Sequence, residues 1–287
     1  MKITNLLKER TGLRLLSMNL RQRTLLFIAI AVFILTAIVV GGALMGEGQL
    51  ATNFSIKNNP PSLGNFFGTD WMGRDMLART LKGLTLSFGV GMLAASLSVL
   101  VALTLSLLAS TSRLADLFVT WLIDLFLSIP HLVSLILIAF TLGGGFKGVV
   151  VGIALTHWPS LARVLRAEVL QLRNAEYVQV SRRFGKSPWW IAYHHVFPHL
   201  LPQLLVGFTL LFPHAILHEA AVTFLGFGLS PQQPAIGIIL SESMAYLSTG
   251  MWWLAFFPGL SLIIMVRAFD ILGDQIRKLI DPNHAHE

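Results

Sequence analysis

LLFIAIAVFILTAIVVGGALM, residues 25–45, carries no charged side chain from end to end. A helix rises about 1.5 Å per residue, so a bilayer core of about 30 Å needs roughly 20 apolar residues. This run meets that length. A cleaved signal peptide has a shorter apolar run and a small-residue cleavage site, so the length points to a retained helix. The whole chain agrees with its opening. Of 287 residues, 54% are hydrophobic and 12% charged, about half the charged share of a soluble domain. So apolar a chain cannot cover itself with polar surface, and lipid is its natural solvent.

Five more runs of spanning length follow, at about 84–109, 114–142, 147–165, 200–226 and 252–273. The spacing predicts an all-α integral membrane protein with six transmembrane helices. The third run contains Asp116, Asp124, Pro130 and His131; the fifth contains Pro202, Pro213, His214, His218 and Glu219. Such residues face protein or water rather than lipid. No low-complexity linker interrupts the chain. We divide it into an amino-terminal tail (1–24), a transmembrane domain (25–273) with a long polar loop at about 163–199, and a carboxyl tail (274–287).

Charge orients the spans. Lys2, Lys8, Arg10, Arg14, Arg21 and Arg23 precede the first. Arg163, Arg166, Arg173, Arg182, Arg183 and Lys186 follow the fourth, and Arg277 and Lys278 follow the last. On the other side, residues 228–251 between the fifth and sixth spans carry no Lys or Arg, while the first outer loop has Lys57, Arg74, Arg79 and Lys82. The positive-inside rule predicts that both termini and the 163–199 loop are cytoplasmic. Basic flanks beside spans also account for the net charge of +7, so nucleic acid is not an expected partner.

Several chemistries are excluded. With no cysteine there is no disulfide, thiolate metal site or cysteine nucleophile. The chain has no GxxxxGK[ST] phosphate loop; Gly143-Gly144-Gly145-Phe146-Lys147 is a glycine-rich outer turn without the Ser/Thr. GxSxG and HExxH signatures are also missing. The chain is not expected to be an enzyme or to bind a cofactor.

The loop is the most informative segment. Tyr177, Val180 and Phe184 recur at helical spacing, with Arg173, Arg182, Arg183 and Lys186 on polar faces. Gly185 and Ser187-Pro188 stop the helix, and Trp189-Trp190 suit a membrane interface. Such a helix either lies on the lipid surface or docks in a groove of a soluble partner. Gln179-Val180-Ser181, Gly185 and Phe197-Pro198 resemble the coupling motif of ABC importer permeases, Glu-Ala-Ala, three residues, Gly, nine residues, Ile-x-Leu-Pro. Gly185 and Pro198 keep the spacing; Gln179, Val180, Ser181, His195 and Phe197 depart from the consensus. The resemblance implies that Gln179, Val180, Ser181, Arg182, Gly185 and Pro198 couple the chain to an ATPase subunit.

Three further segments resemble one branch, the second permease subunit of dipeptide, oligopeptide and nickel importers. Gly68-Thr69-Asp70-Trp71-Met72-Gly73-Arg74-Asp75, continuing to Arg79, is similar to GTDxxGRDxxxR. Phe224-Leu225-Gly226-Phe227-Gly228 with Pro231 and Pro234 is similar to FLGLGxxPPxP, although Ala235-Ile236 replaces the usual Glu-Trp. Phe269, Gly273-Asp274, Arg277 and Asp281-Pro282 are similar to FNxxGDxLRDxLDP. The resemblance implies the type I ABC importer permease fold in a bacterial inner membrane. It also implies a second homologous permease, two ATPase subunits that use ATP and magnesium, and an extracytoplasmic substrate-binding protein. From the residues themselves, Asp70, Arg74, Asp75 and Arg79 read as an ion-pair cluster pinning an outer loop, or as a contact for substrate or its delivery protein. Arg267 and Asp270, one turn apart, read as a mutual pair.

Nine histidines are many for so apolar a chain. His131, His157, His214, His218 and Glu219 are candidate substrate-path residues, with His214 and His218 on one helix face at i,i+4. Imidazoles bind nickel or zinc, yet they also pack helices through hydrogen bonds. His194, His195 and His199 lie near the coupling loop, and His284 and His286 end the chain. Thr156-His157-Trp158, the HxxxH pair and the tail resemble nickel-importer permeases. The cargo is expected to be nickel or a metal chelate, or a di- or oligopeptide. Two other readings are an ion-driven transporter with His214, His218 and Glu219 as a proton relay, and a membrane scaffold.

Overall fold

The computed structural model describes residues 19–280. Lys2, Lys8, Arg10 and Arg14, and Asp281, Pro282, His284 and His286, lie outside them. The described chain is helical: α1 (Leu20–Leu44), α2 (Met76–Thr111), α3 (Arg113–Ser128), α4 (His131–Thr141), α5 (Gly145–Arg173), α6 (Glu176–Arg183), α7 (Pro188–Phe224), α8 (Ile236–Leu247) and α9 (Trp253–Ile280). Among the described residues the only β pairing is an isolated bridge, Thr69 to Asp75.

Five helices (α1, α2, α5, α7 and α9) are long and apolar enough to cross a membrane, and α3 with α4 makes a sixth span broken by 94°. The break falls at Ile129-Pro130, both extended. Proline disfavours the α conformation in the residue before it and supplies no N–H. The spans alternate in direction. One end of the bundle therefore gathers the 45–75 loop, the 142–145 turn and α8; the other gathers the start of α1, α6 and the end of α9.

Helices run further than hydropathy suggests. α1 begins at Leu20 rather than 25, and α9 continues to Ile280 past 273. The expected loop of 163–199 is mostly helix, because α5 runs to Arg173 and α7 starts at Pro188. Hydropathy marks where lipid ends, whereas helix hydrogen bonding continues into water through the charged flanks. Residues 236–247, expected to be loop, form α8, a helix too short to span.

α2 is the central post. Gly83, Ser87, Gly91, Ala95, Ser98, Ala102, Ser106 and Ala109 recur three or four residues apart and are all buried. This small-residue stripe lets α5, α7 and α9 approach closely, the means by which helices pack when lipid removes the hydrophobic drive. A Cβ on Gly91 would lie 2.6 Å from Ile216 Cγ1. Phe212, Ile216, Met265 and Phe269 fill the core on one side of α2, and Ile123, Trp158, Leu165 and Leu200 fill it on the other. Outward faces stay apolar and exposed, as at Phe33, Leu100, Phe118 and Ile263, which suits hydrocarbon.

The α4–α5 crossing is equally close: a Cβ on Gly148 would lie 2.7 Å from the Ala139 backbone oxygen. Gly148→Val is expected to cost about 1–3 kcal/mol by overpacking, lowering Tm in detergent. Gly89→Ala, where a Cβ meets nothing within 4 Å, is expected to leave Tm unchanged or raise it slightly. Equal Tm values would mean that the crossing carries no steric constraint.

Candidate functional site

At the loop end, the 68–75 segment is a turn, not a helix, and it wraps round one carboxylate. Asp70 Oδ1 accepts the backbone N–H groups of Met72 and Arg74, each at 2.9 Å. Its Oδ2 takes Arg74 Nε and Arg79 Nη1, each at 2.6 Å. Glu242 on α8 closes the cluster, 2.9 Å from Arg79 Nη2 and 3.7 Å from Arg74 Nη2. Asp70 and Arg79 are each 3% exposed. Asp75 stands apart from these pairs. Its Oδ1 caps α2 through the Ala78 N–H at 2.7 Å, and its Oδ2 accepts from Asn65 at 2.7 Å. Gly73 adopts φ +74° with Asn53 O against its α-carbon face, so no side chain fits the turn. The cluster ties the loop, α2 and α8 together.

Inside the bundle, three histidines from three helices converge. His131 opens α4 just past the Pro130 break, His157 lies midway along α5, and His218 lies on α7. Their ring centroids are 4.4, 4.6 and 5.0 Å apart. One nitrogen of each ring lies within 4.8 Å of the other two. His157 Nδ1 donates to Ile153 O at 3.0 Å, and His218 Nδ1 to His214 O at 2.8 Å. His157 is buried; His131 and His218 are half-buried.

Two sequence candidates fall outside this group. His214 is exposed and its Nδ1 donates to Leu210 O at 2.9 Å. Glu219 is 0% exposed, accepts from Thr223 Oγ1 at 2.9 Å and sits beside Ser87 of α2. The i,i+4 pairing of His214 with His218 therefore does not gather the rings, and Glu219 points elsewhere. A His214–His218–Glu219 relay has no support in this geometry.

At the opposite end, α6 hangs between α5 and α7. Val178, 1% exposed, roots it. Ser181 Oγ and His195 Nε2 are hydrogen bonded at 2.8 Å, and Gln179 Nε2 donates to Asn174 O at 3.1 Å. Tyr177, Val180 and Phe184 are exposed, Phe184 at 80%. Gly185, at φ +74°, ends the helix, donating its N–H to Arg182 O at 3.0 Å. Arg182 lies in the helix's last turn. Pro198 sits just after a π-helical turn, Ala192–Val196, in which Phe197 N donates to Ala192 O. A π turn absorbs the ladder bond that a proline cannot make.

Sequence reasoning missed three pairings. Glu242 was in a segment read as loop; its signal is an acid in a stretch without Lys or Arg. Asp116 holds Arg166 with two bonds of 2.6 and 3.1 Å, and Arg173 lies 3.9 Å away. Asp124 pairs with Arg163 at 3.0 Å. The acids of α3 thus meet arginines of α5 that sequence reasoning assigned to a loop. Arg267 and Asp270 pair at 3.4 Å.

The architecture is that of type I ABC importer permeases. A chain of the MetNI methionine ABC transporter in an inward-facing conformation superposes with a TM-score of 0.56 at 18% identity, over 72% of this chain and 98% of that one. A chain of an amino acid ABC transporter gives 0.54 at 18% identity, over 71% and 95%. The chain belongs to the family of binding-protein-dependent transport system inner membrane components, whose family model matches residues 98–285. It is thus a multi-pass inner-membrane protein. It is 31% identical over 258 residues to the dipeptide transport system permease protein DppC of Bacillus subtilis, covering 90% of this chain and 80% of that protein. To DppC of Alkalihalophilus pseudofirmus it is 33% identical, over 89% and 84%.

Asp70→Asn keeps an acceptor for the turn but strips the charge between two arginines, leaving buried Arg79 to Glu242 alone. Breaking a buried pair from one side costs about 3–5 kcal/mol, and the remaining partner places the expected loss near the lower value. Glu242→Gln, on the more exposed partner, is expected to cost less. Thermal unfolding in detergent ranks the two; a milder Asp70 variant would show that Asp70 is not the centre of the cluster.

Proposed function

We propose that the chain is a permease subunit of an ATP-driven importer and forms half of a pore completed by a second, homologous permease. The single feature that carries this reading is α6. It is a short helix with a buried root and an exposed apolar ridge, set between two membrane-length helices.

Tyr177, Val180 and Phe184 form that ridge at i, i+3 and i+7, and Arg182 and Arg183 flank it. An amphipathic helix of this kind lays its apolar face in a groove of its partner. We assign the partner as one of two ATPase subunits, which hold the ATP and magnesium, since this chain has no phosphate loop. Gln179, Ser181 and Gly185 shape the helix and its end; the π turn and Pro198 lie in the first turns of α7, next to it. The basic residues on the α6 side, against none in 228–251, support a cytoplasmic location for that side. The opposite end, with the Asp70 cluster, then faces an extracytoplasmic binding protein.

The names of the relatives support dipeptides or oligopeptides as cargo. A second reading, nickel or a metal chelate, is favoured by the three converging histidines. The substrate retained by the cognate binding protein on purification decides between them.

Gly185 tests the coupling. Its left-handed backbone costs any other residue about 1–2 kcal/mol, yet a Cβ there meets nothing within 4 Å. Gly185→Leu should therefore insert and fold, while the end of α6 is disturbed. Uptake by the full transporter is expected to fall at least tenfold with unchanged membrane levels and continuing ATP hydrolysis. Unchanged uptake would remove α6 from the coupling path.

A further inference from the structure

We propose that His131, His157 and His218 form an intramembrane site for a first-row divalent transition metal, held through three imidazole nitrogens. The proposal deepens the metal-cargo reading and rests on it only for the route, not for the binding.

Convergence is the first argument. The rings come from α4, α5 and α7, so no local helix preference brings them together. Three nitrogens about 2.1 Å from one ion, in tetrahedral directions, lie about 3.4 Å from each other. The observed nitrogens, within 4.8 Å of one another, close to that spacing by side-chain rotations of about an ångström.

Orientation is the second. A ligating histidine usually donates its other ring N–H to a carbonyl or carboxylate, which fixes the tautomer. His157 and His218 do this through Nδ1, to Ile153 O and His214 O. In each ring the lone pair then falls on Nε2, and that of His157 lies 3.3 Å from His218 Nδ1. His131 Nδ1 is buried without a hydrogen-bond partner. A buried nitrogen left unpaired is costly, and an ion in the group would satisfy it.

Ligand chemistry selects the ion. Imidazole alone suits nickel, copper(II), zinc and iron(II), whereas calcium and magnesium need oxygen ligands and copper(I) favours sulfur. Glu219 does not join the set, since it bonds to Thr223. Three neutral ligands do not cancel a double charge in hydrocarbon, so binding is weak enough to reverse. They also leave coordination positions open for water or for a chelator that travels with the ion. The site is entered past His131 and His218, both half-buried, with His157 as its floor.

The test uses the full chain with its partner subunits, purified through a tag without histidine. Equilibrium binding of Ni²⁺ is measured without ATP in nanodiscs, and ATP-driven uptake of radioactive nickel in sealed proteoliposomes. We expect one ion per site, with X-ray absorption showing three imidazole nitrogens at about 2.1 Å. His131→Gln, His157→Gln and His218→Gln should each weaken binding at least tenfold and cut nickel uptake in parallel. His214→Gln, whose ring lies outside the group and bonds to Leu210 O, should leave Ni²⁺ binding unchanged. The absorption spectrum of the parent protein stands even if one variant misfolds. No imidazole-coordinated ion in that spectrum overturns the site; a site whose loss leaves nickel uptake intact overturns its place on the route. Because binding needs no ATP, a chain that holds the ion but supports no ATP-driven nickel uptake refutes the metal-cargo reading and leaves the site standing.

Discussion

Hydrocarbon offers no hydrogen bonds, so a polar group inside this bundle must find its partner within the protein. That constraint explains most of what is specific about the structure. Serines and threonines bond back to their own helices, as Ser98 does to Ala94 O at 2.9 Å and Thr156 to Gly152 O at 2.9 Å. Charges pair across helices near both ends: Arg79 of α2 with Glu242 of α8 at one, Asp116 of α3 with Arg166 of α5 at the other. These pairs sit where α2 meets α8 and where α3 meets α5. They fix the relative height of helices whose apolar sides could otherwise slide, since a misplaced charge would be left unpaired in the membrane.

Legibility in the sequence followed the same division. α1 was readable from 25–45 because an uninterrupted apolar run has one explanation. The number of spans followed from run length, since lipid thickness sets it. The break between α3 and α4 was visible only as Pro130; a hydropathy average carries no direction, so a 94° bend and a straight span look alike. α8 was missed because a helix of 12 residues falls below spanning length and its sequence reads as a polar-edged loop. The arginines of α5 were counted as loop charges because a helix that leaves the membrane looks hydropathically like a loop.

The two sites differ in the same way. The loop-end cluster was partly legible because Asp70, Arg74 and Arg79 are close in sequence, whereas Glu242 arrives from α8 and only the fold brings it in. The histidines, His131 and His157 among them, were noticed by number, and helical spacing singled out only His214 with His218. His214 and His218 share a stripe on α7, but a stripe exposes one member and turns the other inward. The true neighbours of His218 come from α4 and α5, and nothing in the spacing of residues 131, 157 and 218 announces it. The exposed ridge of α6 was legible because it is local: Tyr177, Val180 and Phe184 obey the helical period whatever surrounds them.

The proposed coupling surface and the proposed metal site share two helices. α6 is joined to α5 on one side and to α7 on the other, and these carry His157 and His218. α7 runs unbroken from Pro188 to Phe224, so its end beside α6 and its His218 belong to one rod. α5 runs unbroken from Gly145 to Arg173, and Asp116 fastens α3 to it through Arg166. A partner that grips α6 therefore has purchase on both rods. Any change in their crossing alters the distance between His157 and His218, and imidazole ligation is sensitive to shifts of a few tenths of an ångström. His131 opens α4, which packs closely on α5 at Gly148 and Gly152, so it is carried with His157. Two ligands on a closely packed helix pair, and a third on α7, make a site whose affinity depends on how α7 crosses that pair. That dependence is what transport requires of a binding site: it must hold its ion in one state and release it in the other.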